Sequence, residues 1–141
     1  SNELMLDNLE EYKNFHIDKY YYMSACYILA SNYIDLNEVG SADLYIKNFK
    51  SIKKDSTIVD NDYIKLESGI EYNQANYFFR NKKVDSTIHY LEKVRKKRNY
   101  LDYNKIQDYY RLYSNVHKYQ GDNENYIKYV DSLVLLEDPP P

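Results

Sequence analysis

Apolar side chains recur every three or four residues along most of this chain, with polar residues between them, and that spacing predicts helices. The plainest case starts from an N-cap at Asp18 and carries Met23, Cys26, Tyr27, Ala30, Tyr33 and Ile34 on one face. It stops around Asn37 to Gly40, where Ser41 is placed to cap a partner helix with the stripe Ala42, Tyr45, Ile46, Phe49 and Ile52. Lys54 to Asn61 reads as a loop. Asp62 then opens a helix bearing Tyr63, Leu66, Ile70, Tyr77 and Phe78, and Asp85 caps a partner with Ile88, Leu91 and Val94. After a break at Asn99 to Asn104, a helix runs from Lys105 to Gln120, turns at Gly121 and Asp122, and returns through Tyr126, Ile127, Val130, Leu133 and Val134. Asp138 and the terminal prolines end it, because proline cannot continue a helix. Upstream, Glu3 to Phe15 places Met5, Leu9 and Tyr12 on one face, which makes seven helical segments in all.

Within this pattern one skeleton recurs three times: a small residue, a ring three positions on, a short polar turn, and an apolar ladder beginning twelve positions past the small residue. The copies are Ala30/Tyr33/Ala42/Ile46, Ala75/Phe78/Thr87/Leu91 and Ser114/His117/Tyr126/Val130, spaced 45 and 39 residues apart from Ala30 to Ala75 to Ser114. Two antiparallel helices joined by a tight turn require such a layout, since one backbone must approach the other where they cross and the small residues permit it. Repeats of this period mark an α-solenoid. The expected fold is therefore all-α: an α-solenoid of about three antiparallel hairpins with an extra N-terminal helix, residues 1–141 forming a single domain. A four-helix bundle could use the same residues, but it has no reason to reproduce the offset of twelve in successive hairpins.

Composition narrows the function. Glycine and proline number three each, the prolines confined to the last three residues, so the turns that sandwiches and barrels need are missing. The apolar fraction of 43% includes 19 tyrosines, and rings with a polar tip suit a thin two-layer architecture in which each hydroxyl finds a partner or the surface. A net charge of -3 argues against a nucleic-acid binder. No stretch approaches the roughly 18 apolar residues of a membrane span, and the lone Cys26 excludes an internal disulfide. The opening Ser1-Asn2, with no initiating Met, reads as a piece of a longer protein.

Chemical motifs are sparse. Ser51 to Lys54 matches S-x-x-K without the partner motifs of penicillin-recognising enzymes, and a solvated helix end explains it. His16, His89 and His117 have no metal-binding spacing; His89 and Glu92 could supply two ligands, but nothing completes a site, and no cofactor is expected. The run Lys93, Arg95, Lys96, Lys97 and Arg98 fits a helix C-terminus, whose dipole favours cations, or else an acidic partner or an anionic membrane surface. Tyr20 to Tyr22 and Tyr109-Tyr110 suggest a stacking platform for sugar rings or bases, but consecutive helical residues point in different directions, so at most one or two of each set can share a face.

The first hairpin, with Cys26, Leu29, Ala30, Tyr33, Ala42 and Ile46, resembles the tetratricopeptide repeat, with Cys26 in place of the Trp and Ile46 in place of the Phe. Glu71, Gln74, Ala75, Phe78, Thr87 and Leu91 match more loosely, as do Tyr110, Tyr113, Ser114, His117, Tyr126 and Val130. The resemblance covers Asp18 to Asp138 and implies a right-handed superhelix. Each unit exceeds the repeat's usual ~34 residues, and overlong, Tyr- and Asn-rich repeats of this kind are similar to those of sensory or regulatory proteins of Bacteroidetes-type bacteria. It further implies that the first helix of each hairpin lines a groove. Carried over by offset, the ligand-facing residues are Tyr27, Ser31 and Ile34, then Tyr72, Asn76 and Arg80, then Arg111, Asn115 and Lys118. Amides beside cations suit an extended peptide with an acidic or carboxylate end.

The expected function is a non-catalytic module binding a peptide or protein segment, within a bacterial signalling or transcription-regulatory protein of periplasm or cytoplasm. The alternative is a structural scaffold, one segment of a longer repeat array, that oligomerises through the stripe Met5, Leu9 and Tyr12.

Overall fold

The computed structural model describes residues 2, 3, 6, 19–52 and 60–135, with the side chain of Asp60 excepted. The stripe Met5, Leu9 and Tyr12, the Asp18 cap, His16, the C-terminal prolines and most of the Lys54 to Asn61 loop lie outside the described residues. Those described are all-α, with six α-helices and no strand among them. They are α1 (Lys19–Asp35), α2 (Val39–Ser51), α3 (Asp60–Arg80), α4 (Val84–Lys96), α5 (Tyr103–Tyr119) and α6 (Asn123–Leu135), with a 3-10 turn at Arg98–Tyr100 before α5. The chain divides into two compact units, Ser1–Asn73 and Gln74–Pro141, the division falling within α3.

Three successive helix pairs, α1 with α2, α3 with α4 and α5 with α6, are joined by the same backbone device. Asn37, Lys82 and Gly121 take φ of 61°, 59° and 73°, the left-handed conformation that ends a helix. The amide of the next residue reaches back five positions, Glu38 to Tyr33 O at 2.8 Å, Lys83 to Phe78 O at 2.9 Å and Asp122 to His117 O at 2.9 Å. The left-handed residue itself donates to Ile34 O, Phe79 O or Lys118 O. Each turn is thus a Schellman motif whose last residue also begins the next helix: the carbonyls of Glu38, Lys83 and Asp122 accept from Ala42, Thr87 and Tyr126.

Helix starts are set by these turns, which corrects two expected caps. Ser41 and Asp85 lie inside α2 and α4, and the capping positions are Glu38 and Lys83, neither with a side-chain bond. α3 begins at Asp60, two residues before the expected Asp62, and α5 at Tyr103 with Asp102 accepting from Lys105 N at 2.9 Å. A lysine in the left-handed region carries a Cβ clash that glycine lacks. Lys82→Gly should therefore stabilise the chain by roughly 0.5–1 kcal/mol, read as a higher urea midpoint at constant slope.

The ring of each skeleton copy stacks on a tyrosine twelve positions on, across the turn: Tyr33 on Tyr45 (5.7 Å, 5°), Phe78 on Tyr90 (5.5 Å, 10°) and His117 on Tyr129 (5.2 Å, 26°). The small residues are enclosed, Ala30 and Ala75 at 0% exposure and Ser114 at 4%, and twelve positions on Ala42 is at 1% and Thr87 at 0%.

In the first unit α3 lies against both helices of the preceding pair. Phe49 of α2, fully buried, stacks on Tyr63 at 4.7 Å, and Asn73 donates to Ser31 of α1 at 2.8 Å. Gly69 explains itself here, since a Cβ at that position would sit 2.7 Å from the Tyr27 ring. A glycine inside a helix costs about 1 kcal/mol, and the close approach of α1 is what requires it. Met23, Cys26, Leu29 and Ile70 fill the core beneath. In the second unit α5 plays the same part: Tyr113 donates to Glu92 of α4 at 2.8 Å, and Tyr119 meets Phe79 of α3 edge-on at 6.1 Å. Leu91, Val94, Leu112 and Val116 form its core.

Candidate functional site

The side chains expected to face a ligand divide along the two units. Of those in the first, Ile34 is 3% exposed and leaves the set, because a residue of the core stripe cannot also line a surface. Tyr27 and Ser31 are half-buried and engaged by α3, Tyr27 by its ring against Gly69 and Ser31 by accepting from Asn73. Tyr72 is half-buried. The first-unit half of the expected set is therefore a helix contact more than an open face.

The second unit keeps its residues at the surface. On α5 the buried face consists of Tyr109, Leu112, Tyr113 and Val116, and the opposite face presents Arg111, Asn115 and Lys118, spaced i, i+4, i+7 and all exposed. On α3, Asn76 is half-buried and Arg80 exposed. The Phe79–Tyr119 contact brings the ends of these two helices together, and Arg80 and Lys118 are the chain neighbours of those two rings. Three cations thus belong to the adjoining ends and outer face of α3 and α5. Lys118 extends its ammonium toward the Tyr126 ring, 5.8 Å from the centroid.

Asp108 was not anticipated. Its carboxylate lies 3.2 Å from the Arg111 guanidinium, one helical turn away, with side chains 36% and 57% exposed. An exposed pair of this kind contributes little to stability but lowers the field that Arg111 offers a ligand. An Asp three residues before an Arg on a helix is the signal that could have disclosed it.

The basic run that spans the last turn of α4 and the residues after it is committed to neighbours at several of its members. Arg95 donates to Glu92 at 2.7 Å, Lys93 lies over the Tyr90 ring at 5.0 Å and Arg98 over Tyr110 at 5.3 Å. Burial works against the Glu92 charge, yet the hydrogen bonds from Tyr113 and Arg95 hold its carboxyl below the usual range. Burial in turn pushes Tyr113 and Tyr109 well above the ordinary phenol range, so these hydroxyls act as neutral donors. Glu92 is therefore a fastening between α4 and α5, and the His89–Glu92 pair considered as metal ligands is not free for that use. No cluster of three His, Cys, Asp or Glu suited to a metal occurs among the described residues, and no helix there is long and apolar enough to cross a membrane. Comparisons with protein-family models, curated proteins and solved structures give no match.

Proposed function

We propose that the chain is a non-catalytic helical-repeat module of tetratricopeptide type that binds a peptide or protein segment. The observation that carries this reading is the threefold recurrence of one Schellman turn with one ring stack at the same offset of twelve, which supports three antiparallel hairpins stacked as a right-handed solenoid. Stacked hairpins present grooved surfaces. The exposed face of Arg111, Asn115 and Lys118 on α5, together with Asn76 and Arg80 of α3, would offer amides and cations to an extended, acidic or carboxylate-ended peptide. The parent would be a bacterial signalling or transcription-regulatory protein.

A peptide array probed with the whole chain tests the reading. Binding should favour acidic peptides and fall with salt. Arg111→Ala should cost about 1.5 kcal/mol, the low end for a charged hydrogen bond because Asp108 competes for the guanidinium, whereas Lys97→Ala should cost little. Equal losses at the two positions, or a preference for basic peptides, would remove the groove assignment.

The scaffold reading draws on a different feature: α6 has no buried residue and exposes Ile127, Val134 and Leu135 at 58%, 57% and 68%. Concentration-dependent association in sedimentation, abolished by Val134→Glu, would favour it.

A further inference from the structure

The second helix pair departs from the other two along one face. Where the first and third turns have Asn37-Glu38 and Gly121-Asp122, the second has Lys82-Lys83, both exposed. On α4 itself His89, Lys93 and Lys96 are spaced i, i+4, i+7, opposite the buried Thr87, Leu91 and Val94. Their counterparts are Leu44, Asn48 and Ser51 in α2 and Lys128, Ser132 and Leu135 in α6, so the repeat itself does not call for cations here. Lys97 and Arg98 carry the charge past the helix end. Residues 82–98 hold seven Lys and Arg against two Asp and Glu, and one of those acids, Glu92, is taken up by Tyr113 and Arg95. The two units are unevenly charged as well: residues 74–141 have twelve Lys and Arg to nine Asp and Glu, whereas residues 1–73 have seven to thirteen. Such asymmetry points to an anionic partner, nucleic acid or membrane.

Lys82 adds an independent observation. It holds φ of 59°, a conformation disfavoured for any residue with a Cβ, and the other two turns give that place to asparagine and glycine. A strained residue that the fold could replace with a gain in stability is a mark of function. We propose that the outer face of α4, from Lys82 and Lys83 to Lys96 and Lys97, docks the chain electrostatically on an anionic bilayer surface.

The chemistry of the face selects the bilayer over a nucleic acid or a peptide. Its cations are lysines, point charges on flexible stems with no fork for reading a base or a carboxylate. The two arginines of the span are engaged, Arg95 by Glu92 and Arg98 over the Tyr110 ring. Tyr90, the ring among the cations, is stacked on Phe78, met edge-on by His89 and covered by Lys93, so it is closed to a nucleotide base. The stripe follows the outer side of the 13-residue α4 for about 20 Å, a convex surface that suits a plane better than an extended peptide. Lipid headgroups diffuse laterally and gather beneath scattered charges, and each lysine brought to them contributes roughly a fivefold gain in partitioning. At the far end the 3-10 turn exposes Tyr100 at 42%, a ring suited to headgroup level.

Cosedimentation of the whole chain with lipid vesicles tests this. The chain should pellet with phosphatidylcholine vesicles containing about one third phosphatidylserine and not with phosphatidylcholine alone, and binding should fall several-fold as salt is raised to about 0.3 M. Lys93→Gln combined with Lys96→Gln should weaken binding more than ~10-fold. Lys47→Gln combined with Lys50→Gln, the same loss of charge at exposed positions of α2, should change it by less than about twofold. Lys82→Gly should weaken binding about fivefold while raising the urea midpoint, a split that a purely structural residue would not show. Acidic-peptide binding on the α5 face should survive the Lys93 and Lys96 changes, which keeps the two surfaces distinguishable. No pelleting with either vesicle, equal binding to both, equal losses from the two lysine pairs, undiminished binding in Lys82→Gly, or tighter retention by a single-stranded oligonucleotide at the same salt would each overturn the proposal.

Discussion

Phe49→Ala is expected to destabilise the chain by about 3–5 kcal/mol, because the lost ring is fully buried and its removal leaves a cavity that helices cannot collapse to fill. The ring also stacks on Tyr63 at 4.7 Å and 17°, so truncation forfeits an aromatic pair between α2 and α3. Urea denaturation gives the cost directly. An internal control sits at the same repeat position. Phe49 lies seven residues past Ala42, as Leu133 lies seven past Tyr126, and Leu133 is only half-buried. Leu133→Ala should therefore cost less than about 2 kcal/mol, since truncating a side chain already partly in water removes less burial. If the two changes cost the same, the equivalence of the helix pairs fails.

Much of this fold was legible because helices announce themselves locally. Of the expected stripe of α1, Met23, Cys26, Ala30 and Ile34 are buried and Tyr27 and Tyr33 half-buried; of that of α4, Leu91 and Val94 are buried and Ile88 half-buried. Turns were placed to within a residue or two for the same reason. Their mechanism was not visible. Asn37 and Gly121 are ordinary left-handed residues, but Lys82 adopts that conformation too, and no local rule selects a lysine for it. Since each Schellman turn delivers its last residue straight into the next helix, the side-chain caps read at Ser41 and Asp85 were superfluous.

Contacts between distant segments were the harder part. Periodicity makes Tyr45 one member of a stripe and says nothing of its meeting Tyr33, yet Tyr45, Tyr90 and Tyr129 are the repeated partners of the skeleton's rings. The candidate site suffered most from this. The offset from Ala30 assigns Tyr27 and Ser31 to an open face, and only the approach of α3 at Gly69 and Asn73 shows that the face is occupied. Arg111, Asn115 and Lys118 stay exposed because α5 turns its opposite face to the core.

Ala30→Leu tests the crossing on which the repeat rests. Ala30 is wholly buried in α1 and Ala42, its counterpart in α2, is 1% exposed, so there is no room at either for added carbons. Forcing an isobutyl group into such a place displaces neighbours or drives rotamers off their minima, and about 1–3 kcal/mol of destabilisation should follow. Leucine is as good a helix former as most residues, so propensity does not confound the result. The neighbouring Ser41 is exposed, and Ser41→Leu adds comparable bulk to α2 where nothing constrains it, which should change stability by no more than ~0.5 kcal/mol. The contrast in thermal or urea unfolding locates the crossing by residue. Were Ser41→Leu the costly change and Ala30→Leu the tolerated one, the two helices would be meeting on different faces from those described.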